Sequence, residues 1–266
     1  MKYIQLIILS ALLCISCEDV IEVDLEDSEP RLVIEATINV SKDGSSDPMV
    51  TLTETAPFFN DNIPTVPNAT VTITSETGEV FPFLHIGAGK YTTDFNPTFG
   101  LDYTLTVVHK GETYEATESL VVVTTLDEVE QNNEGGFSGE DIELKVFFTD
   151  PAGEENYYLI EVLSIRGDER DTFFDEFFDG NRVNGFYLAD DLAEGDEVTF
   201  NLFGVDEDFY NFMVVLLQQV DDGGGGPFET QPATVKGNIL NTTNEENFPL
   251  GYFRISEIST LEYTVQ

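Results

Sequence analysis

The 266-residue chain sets 51 Asp and Glu against 11 Lys and Arg, for a formal net charge of −40. That balance excludes a nucleic-acid-binding protein, because phosphates are held by clustered Lys and Arg. A hydrophobic share of 41% with 21 Phe excludes general disorder, and two cysteines, both near the N-terminus, leave no disulfide framework or cysteine-based metal site in the body of the chain.

Met1 and Lys2 lead into an apolar run, Ile4 to Leu13, that is too short to cross about 30 Å of hydrocarbon, which takes roughly 20 apolar residues. It fits the hydrophobic region of a secretory signal. The stretch Ile15-Ser16-Cys17-Glu18-Asp19 follows, and a small residue before a cysteine at the end of such a run marks a lipoprotein signal, with Cys14 standing where leucine is usual. Residues 1–16 are then the signal peptide, and Cys17 is the lipidation site. Two or three acyl chains, at about 0.8 kcal/mol per buried CH₂, make such an anchor persistent.

Residues 17–30 read as an acidic tether ending at Pro30. From Arg31 to Val40, Leu32, Ile34, Ala36, Ile38 and Val40 alternate at period two, which predicts a half-buried strand. Further strands are predicted over 50–55, 69–74, 79–85, 91–95, 103–108 and 113–117, separated by turn signals such as Thr77-Gly78 and Lys110-Gly111. Many short strands at regular spacing imply an immunoglobulin-like β-sandwich over 31–120. Residues 121–141 read as a connector ending in a loop over 131–140. A C-terminal β-rich domain then occupies 142–266, with strands near 142–148, 157–165, 172–178, 198–203 and 252–265. Phe209, Phe212, Met213, Leu216, Leu217 and Val220 fall at helical spacing, so one helix is expected over about 207–220, stopped by the glycine run 223–226. The predicted class is mainly β: two immunoglobulin-like β-sandwich regions, the second with an inserted helix.

The order of several segments resembles a known family. They include Leu32-Val-Ile-Glu35, Thr55-Ala-Pro-Phe58, Pro67-Asn-Ala-Thr-Val71, Gly111-Glu-Thr-Tyr114, Asp150-Pro-Ala-Gly-Glu-Glu-Asn-Tyr-Tyr158, Phe178-Asp-Gly180, Gly237-Asn-Ile239 and Leu250-Gly-Tyr-Phe253, behind the acylated cysteine. Together they resemble the Bacteroidota lipoproteins of domain-of-unknown-function family 4249. The resemblance implies an outer-membrane lipoprotein encoded near a TonB-dependent transporter and assigns no catalytic residues. Glu18 and Asp19 resemble the acidic export signal that sends such lipoproteins to the cell surface, a periplasm-facing orientation being the alternative.

No catalytic pattern emerges from the residues themselves. His85 and His109 are the only histidines, without zinc-ligand spacing, and Gly-x-Ser-x-Gly is absent. Asn60-Asp61-Asn62 and Asp206-Glu207-Asp208 offer oxygens to calcium but lack the loop pattern of a dedicated site, so no metal and no cofactor are expected. The expectation is a non-catalytic accessory or ligand-binding lipoprotein that partners a TonB-dependent transporter, the alternative being an independent surface adhesin or structural lipoprotein. Loops carry binding residues on rigid scaffolds, so Phe58, Phe59, Asn60 and Asp61 in the 56–67 loop, and Phe228 in the 223–232 loop, are the candidate ligand or partner contacts. The ligand itself is not legible.

Overall fold

The computed structural model describes residues 29–57, 62–136, 139–220 and 234–266. Alternation in β1 (Leu32–Ser41) puts Leu32, Ile34, Ala36, Ile38 and Val40 on one buried face. β2 (Ser46–Glu54) returns antiparallel beside it. There follow β3 (Thr70–Ser75), β4 (Val80–Pro82), β5 (Leu84–Gly87), β6 (Lys90–Thr92), β7 (Asp102–His109) and β8 (Glu112–Val121). β4, β3, β7 and β8 form an antiparallel layer that packs on β1 and β2 through a core including Ile34, Ile38, Leu52, Ile73 and Leu105.

The later elements are β9 (Leu126–Gly135), β10 (Asp141–Thr149), β11 (Tyr157–Ser164), β12 (Glu169–Phe174), β13 (Arg182–Leu188), β14 (Glu197–Val205), helix α1 (Glu207–Val220), β15 (Leu240–Asn241) and β16 (Leu250–Thr264). β13, β10 and β9 make a three-stranded sheet. A second core joins Leu144, Val146 and Phe148 of that sheet to Tyr158, Phe200 and Leu202 of the β11–β14 pair. The fold is mainly β with this one helix among the described residues, and the helix has the predicted limits.

β16 organises both halves. It pairs in parallel with β1 from Val33↔Leu250 to Ser41↔Ile258, and antiparallel with β14 from Phe203↔Ile258 to Glu197↔Thr264. Phe253 and Ile255 enter the first core, and Val265 just beyond the strand enters the second. A 15-residue strand reaches roughly 50 Å at about 3.3 Å per residue, long enough to edge both sheets. Periodicity assigns this strand to the C-terminal region, yet its first half completes the N-terminal sheet. β15 likewise pairs with β8. Gly237 and Gly251 permit this return: a Cβ on Gly237 would lie 1.7 Å from Gly251 O, and one on Gly251, at φ +95°, 2.1 Å from Ile34 O.

Several boundaries differ from expectation. The strand expected over 79–85 breaks at Phe83, which turns inward, so that β4 pairs with β3 while β5 pairs with β6. The loop expected over 131–140 is strand as far as Gly135; β9 is polar and mostly exposed, and its ladder with β10 rather than an apolar pattern makes it a strand. β12 ends at Phe174 and gives way to a 3₁₀ turn over Asp175–Phe177. β13 has no counterpart in the expected strands; it carries the pair Asn184-Gly185, of a kind common in turns. Its Gly185 instead leaves space that the Ile160 side chain uses, since a Cβ there would meet Ile160 Cδ1 at 2.7 Å.

Candidate functional site

Helix α1 begins where Asp206 Oδ1 accepts the Phe209 amide at 2.7 Å and Asp206 O accepts the Tyr210 amide at 3.0 Å. Glu207 and Asp208 in the first turn complement the positive end of the helix dipole. Its stripe of Phe209, Met213 and Leu216 packs on Leu159 of β11, Phe203 of β14 and Tyr252 of β16. Phe209 meets the Tyr252 ring edge-on at 5.0 Å between centroids.

Beside the helix, on the face of β1 and β16 opposite the first core, lies a cavity of about 740 Å³. Register sets Glu35 beside Tyr252, Thr37 beside Arg254 and Asn39 beside Ser256. Phe203, Phe209, Met213 and Leu216 supply its apolar wall. Tyr252 through Ser256 are buried consecutively, so β16 is covered on both faces at this point.

Arg254 is the unusual member. It is 8% exposed, its Nη1 is buried without a hydrogen-bond partner, and its guanidinium lies 4.5 Å from the Phe203 ring centroid and 5.6 Å from that of Phe209. Burial brings its pKa down to about 10, with Glu161 opposing and Arg170 reinforcing the shift, and the side chain remains a cation at neutral pH. Glu161 is already engaged: Oε1 accepts Arg170 Nε at 2.9 Å and Nη2 at 2.6 Å, and Oε2 accepts Asn201 Nδ2 at 3.3 Å. Glu161 and Arg170 thus neutralise each other, which leaves Arg254 as the unpaired cation of the cavity and Glu35 as the remaining carboxylate in its lining. Stacking on desolvated aromatics returns about 2 kcal/mol, less than the several kcal/mol that burial of an unpaired ion costs. Tyr252 Oη, Asn39 Oδ1 and Ser256 Oγ are also buried without partners. Of the seven such atoms among the described residues, four lie on this one face of two adjacent strands, and an unsatisfied buried polar atom needs a physical reason.

Behind Tyr252 the field changes sign. Burial, then the Asp206 carboxylate, hold the Glu118 carboxyl above the ordinary range, while Asn238 Nδ2, donating at 2.6 Å, opposes them. Burial followed by the charges of Asp206, Glu118 and Asp208 raises the Tyr252 phenol. Asn238 also clamps the backbone of Phe253, donating to its carbonyl at 2.8 Å and accepting its amide at 3.0 Å.

The acidic cluster of the second half is occupied in structure. Oxygens of Asp150, Asp175 and Asp179 lie within 4.8 Å of one another. Asp150 accepts the Tyr158 hydroxyl and, at 2.9 Å, the Gly180 amide; Asp175 accepts the Asn156 amide at 2.9 Å and Asp179 the Gly153 amide at 2.7 Å. These carboxylates tie the 150–156 turn to the 175–180 turn, and burial, with the charges of Asp150 and Asp179, raises the Asp175 carboxyl. His109 stands 3.7 Å from Glu54 with its pKa lowered, chiefly by burial and then by Lys110. His85 packs on Tyr91, a separate place in the fold.

Of the residues singled out in the sequence, Cys17, Glu18, Asp19, Phe58, Phe59, Asn60, Asp61 and Phe228 lie outside the described residues. Arg254 escapes a sequence reading because an arginine at an outward strand position ordinarily faces solvent. The available signal is the amphipathic helix just upstream, which needs a sheet face to cover.

The family described as domain of unknown function DUF4249 matches residues 18–262. The chain belongs to this family. No curated protein matches this DUF4249 chain. Among solved structures it is similar to a two-domain fibronectin type-III segment of chicken tenascin, at 16% identity over 67% of this chain and 92% of that one, with a TM-score of 0.21. It is also similar to a DUF4785 family protein of Legionella pneumophila, at 10% identity over 67% of this chain and 54% of the other, with a TM-score of 0.25. A third similarity is to the chicken interferon gamma receptor alpha chain, at 12% identity over 67% and 89% of the respective chains, with a TM-score of 0.23. None superposes closely enough to bear on ligand or partner.

Proposed function

We propose that this DUF4249 protein is a non-catalytic lipoprotein, anchored in the outer membrane through Cys17 and exposed at the cell surface, that captures a ligand for a TonB-dependent transporter. The observation that carries the reading is the cavity beside α1. It is of ligand size and apolar on one wall, and Asn39 Oδ1, Tyr252 Oη and Arg254 Nη1 in its lining are buried without protein partners. The lipoprotein signal and the family resemblance support this location and this partnership. Among the described residues no helix is long and apolar enough to cross a membrane. In this reading the acyl chains on Cys17 are the attachment. His85 packs on Tyr91 and the clustered carboxylates accept hydrogen bonds from the chain, roles that need no reaction.

The test is gentle detergent extraction of the tagged protein from outer membranes, followed by identification of what co-purifies. A TonB-dependent transporter in stoichiometric amount is the expected result. A protein that emerges alone at low detergent and low salt contradicts the partnership and favours an independent adhesin.

A further inference from the structure

We infer that the cavity beside α1 binds a small organic monocarboxylate, its carboxylate on Arg254 and its apolar part against Phe203, Phe209 and Met213. The inference rests on the ligand-capture half of the proposed function and gives that ligand a chemical class.

Charge is the first ground. The chain has 51 acidic residues, and the other described arginines all have partners. Arg166 pairs with Asp196, Arg170 with Glu161 and Arg182 with Glu128, and Arg31 donates to the carbonyls of Glu246 and Phe248. Carboxylates are abundant, yet among the described residues none is bound to Arg254, the arginine buried most deeply. A guanidinium offers a planar fork that matches a carboxylate. Nη1 of Arg254 has no partner among the described residues.

Shape and polarity narrow the class. Phe203 and Phe209 flank the guanidinium, and Met213 and Leu216 extend that wall, so a tail leaving the carboxylate meets apolar surface. Arg170 is taken by Glu161, so Arg254 is the one guanidinium of the lining left to hold a single carboxylate. Glu35 at the cavity repels a second negative charge, which disfavours phosphate dianions and dicarboxylates. Thr37 and Asn39 line the cavity beside Arg254 in the β1 register and supply neutral hydrogen-bonding groups.

The probes are hexanoate and its neutral isostere hexanamide, titrated calorimetrically into the full chain in maltoside micelles, native and Arg254→Met. Hexanoate is expected to bind the native protein saturably at one site, at least tenfold more tightly than hexanamide. Arg254→Met is expected to lose at least tenfold in hexanoate affinity while keeping its hexanamide affinity. Equal affinity for acid and amide, no saturable hexanoate binding, or unchanged hexanoate binding in a folded Arg254→Met protein each overturns the inference. The acid-against-amide comparison needs only the native protein, so it decides even if the variant fails to fold. No transporter is present in the experiment, so a failure here is distinct from a failure of co-purification.

Discussion

The two faces of the β1–β16 pair are made by alternate residues of the same strands, yet they do opposite things. On the inner face Ile34, Ala36, Ile38, Phe253 and Ile255 fill the first core with no polar atom to satisfy. On the outer face Glu35, Thr37, Asn39, Tyr252, Arg254 and Ser256 stand in the same register, and four of their polar atoms are buried without partners. The inner face stabilises the fold through burial of apolar area. The outer face costs stability, and residues kept at such a cost are commonly kept for binding. Adjacent residues thus separate the two roles, and substitutions can test the division one position at a time.

The largest effect is expected on the inner face. Phe253→Ala should lose about 3–5 kcal/mol, since it removes a fully buried ring between two layers that cannot close over the gap. Urea unfolding measures it, and a loss under 1 kcal/mol would break the comparison. The neighbouring change Arg254→Met should act in the opposite direction, raising stability by about 1–4 kcal/mol, because it removes an unpaired buried ion while Glu161 keeps Arg170 and Asn201.

Glu118, at the border of the two faces, gives a smaller and pH-dependent effect. Its carboxyl pKa is raised in the folded protein, so its contribution is fully present below the unfolded value of about 4.3 and is lost as pH rises through the folded value. Glu118→Gln retains an acceptor for Asn238 and removes the charge. Unfolding curves should nearly coincide at pH 4 and separate in favour of the variant by about 1–2 kcal/mol at pH 8. A constant difference at all pH values would show that Glu118 does not titrate in this range. The smallest effect is Ser256→Ala, which deletes an unpartnered buried hydroxyl and should be neutral or stabilising by up to about 1 kcal/mol. A thermal melt that falls by several degrees would show that the hydroxyl has a partner after all.

The inner face was legible because alternation reports burial directly: Leu32 to Val40, Tyr103 to Val107 and Leu144 to Phe148 carry their pattern in the sequence, as does the stripe of α1. The outer face was not, since period two cannot distinguish a position open to solvent from one covered by a helix. Nor does the parallel pairing of β1 with β16 have a local signature, because its two strands lie at opposite ends of the chain. Segments of the family resemblance prove to be ties of the fold. Asp150 joins Tyr158 to Gly180, and Asn238 clamps Phe253. They identify the architecture and leave the cavity to be found from packing and charge.

The most direct test of the division between faces is urea unfolding of the native protein and Arg254→Met, each with and without saturating hexanoate. A ligand at about one hundred times its Kd adds about 2.7 kcal/mol to a protein that binds it only when folded. The predicted result is a variant at least as stable as the native protein without hexanoate, and a rise on adding hexanoate for the native protein alone. A variant that is several kcal/mol less stable, or one that gains as much from hexanoate as the native protein does, would contradict the account and return Arg254 to a structural role.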